Sequence, residues 1–101
     1  IMEKIEQVVK AIADNEYISS GEKYLVFVLG VPTVVRGSGN HISVKFADTM
    51  PQANKCEWGD KVINSLSRTE SVHAYGQYVI SSEIGECDIV YAFGSVKIKF
   101  K

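Results

Sequence analysis

The sequence contains few of the residues on which many small proteins depend for stability or chemistry. Its 101 residues include only two cysteines, two histidines, two prolines and one tryptophan. Without a CxxC or HxxxH spacing, these cysteines and distant histidines are fewer soft ligands than a zinc site normally requires. No cofactor or metal is therefore expected. The lack of a long apolar run argues against a membrane span, and no signal peptide is apparent, so we expect a cytoplasmic protein with free thiols.

The composition is that of an ordinary globular protein. Apolar residues make up 46% and charged residues 23% of the chain, which argues against disorder and predicts one domain over residues 1–101. A net charge of −1 gives no long-range attraction to phosphate, so a nucleic-acid binder is not favoured. Charge varies along the chain, at −3 over residues 1–22, +3 over 23–55 and −1 over 56–101. We interpret this as ordinary surface variation. Ile1 is interpreted as one residue ahead of a native start at Met2, so we expect a complete small protein.

Residues 72–101 are expected to form a three-stranded antiparallel meander around which the rest of the chain is organised. The last six residues alternate apolar and basic, which puts Lys97, Lys99 and Lys101 on one face. A turn at Gly94-Ser95 predicts that Asp88 pairs with Lys101. Together with a turn at Ile84-Gly85, it predicts three inward rows, which are Ile80-Ile89-Phe100, Tyr78-Tyr91-Ile98 and Gly76-Phe93-Val96.

Two amphipathic helices are predicted from apolar residues at helical spacing. The first covers residues 2–14 and the second residues 55–67. The expected buried stripes are Ile1, Ile5, Val8, Val9 and Ile12 in the first, and Trp58, Val62, Ile63 and Leu66 in the second. Gly59 weakens the second helix by about 1 kcal/mol relative to alanine.

The first part of the chain supplies three more predicted strands. Six successive apolar residues, 24–29, favour a central strand covered on both faces and ended by Pro32. Residues 33–36 and 41–47 predict a hairpin around residues 37–40. Its second strand would turn Ile42, Val44 and Phe46 to one face and His41, Ser43 and Lys45 to the other. Residues 17–21 are interpreted as a linker, and residues 48–54 as a loop with Pro51 near its centre.

These elements predict a two-layer α+β fold in the order α-β-β-β-α-β-β-β, with two helices on one face of an antiparallel sheet. Residues 1–50 and 51–101 share this layout, so they are candidate topological halves. No residue-level identity between them is apparent, so a structural repeat is a hypothesis about topology only.

The second face of the meander is the predicted binding surface because it mixes aliphatic and basic side chains. Its residues are Gln77, Val79, Val90, Lys97 and Lys99. The lysines of the last strand are interpreted mainly as protection of an edge strand against aggregation, with contact to an acidic partner as the alternative. We therefore expect a small non-catalytic protein that binds and modulates or inhibits a partner protein. Inhibitors, immunity proteins, antitoxins and phage-encoded inhibitors of host defence fit this description. A homodimer is left open.

Two other functions are weighed against binding. A metal-independent nuclease would use His41 and His73, with Lys45, Tyr75 and Arg36 nearby if their strands share a polar face. A small-ligand carrier would need a cavity between helices and sheet. Cys56, at the start of the second helix, would be a nucleophile only with a histidine beside it. Cys87 is predicted to be a core thiol.

Overall fold

The structure is a computed structural model that describes residues 3–47, 55–68 and 71–101. The predicted loop 48–54 and the predicted packing of Ile1 lie outside these residues. Two helices and seven strands follow along the chain, which are α1 (Lys4–Ile12), β1 (Ile18–Ser20), β2 (Lys23–Val28), β3 (Val31–Ser38), β4 (His41–Phe46), α2 (Lys55–Leu66), β5 (Gly76–Ser81), β6 (Glu86–Ala92) and β7 (Ser95–Phe100).

All seven strands form one antiparallel sheet in the order β1-β2-β3-β4-β7-β6-β5, and both helices pack on the same face. The predicted α+β class is therefore confirmed. One strand was not predicted, since β1 lies within the supposed linker 17–21. Its three residues are all exposed, so they show no alternation of buried and exposed side chains that would indicate a strand.

Both predicted helices are confirmed. In α1 the buried residues are Ile5, Val8, Val9 and Ile12, and in α2 they are Trp58, Gly59, Val62, Ile63 and Leu66. The apolar stripe of each helix packs on the sheet, while the opposite side of each faces solvent. Gly59 is buried because the ring of Tyr91 occupies the space where a Cβ would lie.

The predicted burial of β2 on both faces is wrong. The strand lies one place from the edge of the sheet, and its outward side chains Leu25 and Phe27 are 39% and 53% exposed. Helices cover only one face, so half of the apolar run remains in contact with solvent. Pro32 does not end the strand either, since β2 and β3 meet in a two-residue turn at Leu29-Gly30 with positive φ at both residues.

Pro32 lies near the start of β3, opposite Phe27. Its carbonyl accepts a hydrogen bond from the Ala47 amide just beyond β4. The N–H that proline lacks would therefore point toward β4 at the end of the β3–β4 ladder, a position where proline is tolerated. The predicted hairpin of residues 33–47 is confirmed, with Ile42 and Val44 buried and Phe46 packed against the core.

The meander exists, but both of its predicted registers are wrong by two residues. Ile89 pairs with Ile98 and Tyr91 pairs with Val96, because the tight turn is Phe93-Gly94. Tyr78 pairs with Ile89. A shift of two residues keeps each side chain on its predicted face, whereas a shift of one would reverse it. Phe93 is the exception, since it lies in the turn and is 67% exposed.

The two halves of the sheet repeat one another at a constant spacing. Val35 pairs with Val44 and Ile89 pairs with Ile98, and both members of the second pair lie 54 positions after those of the first. The β2–β3 and β5–β6 registers show the same spacing, as do the buried positions of the two helices. We call residues 3–47 the first half and residues 57–101 the second half.

Backbone hydrogen bonds outside the ladders follow the same spacing. The Asp14 amide donates to the Phe27 carbonyl, and the Arg68 amide donates to the Ser81 carbonyl. Across the sheet centre, where β4 pairs with β7, the Phe46 amide donates to Gly94 and the Phe100 amide donates to Asn40. The described residues thus have an approximate two-fold repeat about the β4–β7 pair. The division into residues 1–50 and 51–101 stays a prediction, because it includes undescribed residues.

Candidate functional site: the outer face of the sheet

We use the term outer face for the side chains of the strands, and of Lys101 just after β7, that point away from the helices. The registers align most of them in three rows across the sheet. The first row is Ser20, Lys23, Arg36, Ser43, Lys97, Val90 and Gln77; the second is Ser38, His41, Lys99, Asp88 and Val79; the third is Ile18, Leu25, Val34, Lys45, Ser95 and Ala92. Neighbouring side chains in such rows are about 5 Å apart, so Lys23 and Arg36 lie side by side and Ser43 separates Arg36 from Lys97.

Positive charge is concentrated on this face. It holds six of the 11 lysine and arginine side chains but only two of the ten acidic side chains that the structure describes. These are Lys23, Arg36, Lys45, Lys97, Lys99 and Lys101, with Glu86 and Asp88. The outer face thus has a formal charge of +4. The remainder of the chain, counted from the sequence, has −5, which accounts for the net −1.

Only one of these six cations forms an ion pair with another described residue. Lys101 Nζ lies 2.9 Å from Glu86 Oε1 and 3.7 Å from Asp88 Oδ1. The predicted Asp88–Lys101 pair is therefore present despite the register error, because the lysine reaches diagonally across the strands. The two carboxylates raise the pKa of Lys101, so it stays protonated with its charge paired, whereas the other five cations form no ion pair with a described residue.

The five remaining cations repel one another. Lys23 and Arg36 are direct cross-strand partners, and like charges in that position destabilise a sheet. The central part of the face forms a shallow depression of about 380 Å³ that includes Arg36, Lys97 and Lys99. Folding alone does not require this arrangement, since the buried sides of the same strands supply the core.

Aliphatic side chains flank the basic centre on both sides. Near β1 and β2, Ile18, Leu25 and Phe27 are exposed, and near β5 and β6, Val79 and Val90 are exposed. A charged centre with apolar margins differs from the usual interface with an apolar centre and polar rim. The outer face thus combines a basic centre with exposed apolar margins.

The predicted binding residues Gln77, Val79, Val90, Lys97 and Lys99 all lie on the outer face. The interpretation of the lysines as edge protection is wrong, because β7 lies at the sheet centre between β4 and β6. Sequence reasoning did not join Lys23, Arg36 and Lys45 to this surface. Their alternation with buried Val35 and Val44 was visible, but nothing local showed that β4 pairs with β7.

The residues of the nuclease alternative are divided between two sides of the molecule. His41 and Lys45 lie on the outer face, with His41 opposite Lys99. His73 and Tyr75 lie instead beside α2, where His73 Nδ1 is 3.8 Å from Asp60 Oδ2. Since α2 packs on the other face of the sheet, the structure does not bring the two histidines together.

A hydrogen-bonded cluster surrounds Cys56 at the start of α2. The exposed thiol donates to the Tyr75 hydroxyl at 3.0 Å, and the Tyr91 hydroxyl shares its one proton between the Cys56 carbonyl oxygen, 2.6 Å away, and Asp60 Oδ1, 3.0 Å away. The pKa of Tyr75 is raised to about 12, mainly by its hydrogen bond with Cys56 and secondly by burial. Burial, followed by the hydrogen bond to Asp60, raises the pKa of Tyr91. Both phenols therefore stay protonated at neutral pH.

Cys87 has a different environment from Cys56. It is buried in the core beside Ile89, as predicted, and burial raises its thiol pKa to about 11. It is therefore an inert thiol at neutral pH. Within the described residues there is no group of three or more histidine, cysteine, aspartate or glutamate side chains that could hold a metal ion.

The ligand-carrier alternative requires space between helices and sheet. Val8 and Val9 of α1 and Val62 and Ile63 of α2 are fully buried there. Trp58 fills the space beside Phe46, with ring centroids 4.5 Å apart, and donates a hydrogen bond from Nε1 to Thr33 Oγ1 at 2.8 Å. The helix stripes are thus packed directly on the strands.

Comparisons of the chain with protein-family models, with curated proteins and with solved structures found no match. The candidate site therefore depends on the residues of this chain alone. No helix within the described ranges is long and apolar enough to cross a membrane.

Proposed function

We propose that this protein is a non-catalytic binding protein whose outer face covers an acidic surface of a partner protein. It acts by occupying that surface, as inhibitors and immunity proteins do. The separation of charge carries the proposal, since a chain of net charge −1 places +4 on one face of its sheet. Such a face orients the protein toward an acidic surface and increases the rate of association.

A protein partner is favoured over a nucleic acid by two features. Sheet faces that bind single-stranded RNA stack bases on aromatic side chains, whereas Phe27 is the one aromatic side chain of the strands on this outer face, at its margin. The −5 carried by the rest of the chain also opposes the long-range attraction to phosphate on which nucleic-acid binders depend. Exposed aliphatic margins are suited to contact with another protein.

Capture from a lysate of the source organism with matched charge variants tests the proposal. The outer-face variant is Arg36→Glu/Lys97→Glu, and the control is Lys10→Glu/Lys61→Glu, which makes the same charge change on exposed helix positions. Wild type and control should capture the same acidic protein from nuclease-treated lysate, identified by mass spectrometry. The outer-face variant should bind it at least about tenfold more weakly, because attraction becomes repulsion.

Increasing salt should weaken this binding, since exposed charges are screened within about 8–10 Å at physiological ionic strength. Equal losses in the outer-face and control variants would contradict the proposed face. Loss of capture after nuclease treatment would show that nucleic acid, not a protein surface, is the ligand.

A further inference from the structure

Among the residues that the structure describes, no strand covers the outer edge of β5 as one covers the equivalent edge in the first half. There, β1 pairs with β2, with Ile18 opposite Leu25 and Ser20 opposite Lys23. Val79 and Gln77 are the residues 54 positions after Leu25 and Lys23. The corresponding segment of the second half, 72–74, forms no strand and leaves β5 at the sheet edge.

Asn64 holds the segment that would occupy this place. The Val72 amide donates to Asn64 Oδ1 at 2.8 Å, and Asn64 Nδ2 donates to the Val72 carbonyl at 3.2 Å. Val72 is 2% exposed, whereas its counterpart Ile18 is 65% exposed. The segment is therefore anchored to α2 and does not lie along β5.

The direction of the backbone groups of β5 follows from its turn. Ser82 and Gly85 exchange both backbone hydrogen bonds. Because hydrogen-bonded and non-hydrogen-bonded pairs alternate in an antiparallel ladder, Ser81, Val79 and Gln77 point their N–H and C=O groups away from β6. The Ser81 carbonyl already accepts from the Arg68 amide. No described residue pairs with the outward groups of Gln77 and Val79.

The sequence of this edge has none of the usual protection. Exposed edge strands normally carry charges or proline that prevent pairing with another chain, but residues 76–81, GQYVIS, contain neither. Val79 is 59% exposed. An uncharged strand rich in β-forming residues is suited to pair with another strand.

We propose that the edge of β5 pairs antiparallel with β5 of a second copy of this chain. Two outward residues separated by one position are self-complementary: Gln77 of each copy faces Val79 of the other, giving four backbone hydrogen bonds and placing Tyr78 opposite its counterpart. A register in which Val79 faces Val79 of the other copy would place Gln77 opposite Ser81, whose carbonyl already accepts a hydrogen bond from the Arg68 amide. The register is therefore determined by the available backbone groups.

The molecule already contains a pairing of this kind. β4 and β7, equivalent strands of the two halves, pair antiparallel at its centre. A two-fold dimer across β5 would continue the sheet and place both outer faces on the same side. Two basic faces side by side would engage a partner with two acidic sites more strongly than one face. The dimer itself does not depend on the proposed function.

Sedimentation equilibrium over a range of concentrations tests the dimer. The mass should rise from 11.2 kDa toward twice that value, and Val79→Pro should raise the dissociation constant about tenfold or more, because it removes the outward donor in both copies without removing a bond to β6. Val79→Thr, which keeps the donor, should dimerise like wild type. Circular dichroism establishes that the variants are folded. If Val79→Pro does not fold, Val79→Lys replaces it as the variant expected to weaken the dimer, because a charge on an edge strand opposes pairing.

Amide hydrogen exchange of the wild type gives a second measurement. Gln77 and Val79 amides should become protected as concentration rises, whereas those of Lys23 and Leu25, which face β1, should be protected at every concentration. A constant mass of 11.2 kDa up to millimolar concentration overturns the proposal. So does a dimer that leaves the Gln77 and Val79 amides unprotected or that forms equally well with Val79→Pro.

Discussion

Apart from β1, the described residues of the first and second halves have the same backbone arrangement but different side chains. Their registers, their helix positions and several of their backbone hydrogen bonds coincide at a spacing of 54 positions. Only six of the 45 aligned positions are identical, namely Glu3/Glu57, Val8/Val62, Glu16/Glu70, Tyr24/Tyr78, Lys45/Lys99 and Phe46/Phe100. The comparison shows that hydrogen-bond geometry and the pattern of burial can be retained while packing and surface change.

Equivalent positions in the two halves hold side chains of different chemical type. Trp58 packs on Phe46, and the corresponding Lys4 lies over Phe100, with Nζ 5.1 Å from the ring centroid. Another pair of positions exchanges size, since the first half has Ile5 and Gly37 where the second has Gly59 and Tyr91. In the first half the larger side chain comes from the helix, whereas in the second half it comes from the strand.

The largest effect is expected at the equivalent pair Trp58 and Lys4. Trp58→Ala should lower the free energy of unfolding by about 3–5 kcal/mol, because it leaves a cavity and removes the donor that the Thr33 hydroxyl accepts from, although that hydroxyl keeps its own hydrogen bond to the Val31 carbonyl. Lys4→Ala should cost less, about 1–2 kcal/mol, since it removes a half-buried cation over the Phe100 ring and one hydrogen bond to the Ile84 carbonyl. Urea unfolding of both variants measures the difference, and similar losses would contradict the contrast drawn between the halves.

An intermediate effect is expected from the exchange of size. Gly59→Ala should lower stability by about 1–3 kcal/mol although alanine favours helix, because its Cβ would overlap the Tyr91 ring, which two hydrogen bonds hold in place. Gly59→Ile/Tyr91→Gly recreates the pair found in the first half. A double-mutant cycle should therefore show favourable coupling. Additive losses would show that the two positions are independent.

The smallest effect concerns Cys87 and its counterpart Thr33. The folded-state thiol pKa of about 11 exceeds its ordinary value of 9.0, mainly through burial and then through Asp88 and Glu86. The folded protein thus binds the proton more tightly, and this contribution to stability is present below pH 9 and is lost as pH rises toward 11. Thermal melts from pH 7 to 11 should fall less steeply for Cys87→Ala than for wild type. Parallel melting profiles of Cys87→Ala and wild type would contradict the assignment of this pH dependence to Cys87. The counterpart Thr33 does not titrate in this range.

Much of the local structure could be predicted from sequence because periodicity is a local signal. Both helix stripes and the faces of β4 and β7 follow from spacings of 3.6 and two residues. The same periodicity explains the two-residue register errors, since rows shifted by two look equally apolar. The sequence predicts the tight turn at Gly94-Ser95, one residue late, because Gly94 is the second turn residue, after Phe93, and not the first.

The candidate site was only partly predictable. The lysines of β7 and the residues Val79 and Val90 were assigned to one surface, because they alternate with buried neighbours. Lys23, Arg36 and Lys45 join the same surface only because β4 pairs with β7, and these two strands are separated in sequence by α2. Such long-range pairing depends on how helices and strands pack together and has no local sequence signature.

Local sequence patterns are sufficient to predict which side of each helix and of most strands is buried, because apolar and polar side chains alternate along each segment. They do not predict that the last strand lies inside the sheet, that cations from four strands share one face, or that β5 lies at the edge. Those features depend on strand order, which is set by the burial of all apolar faces together and not by any one segment.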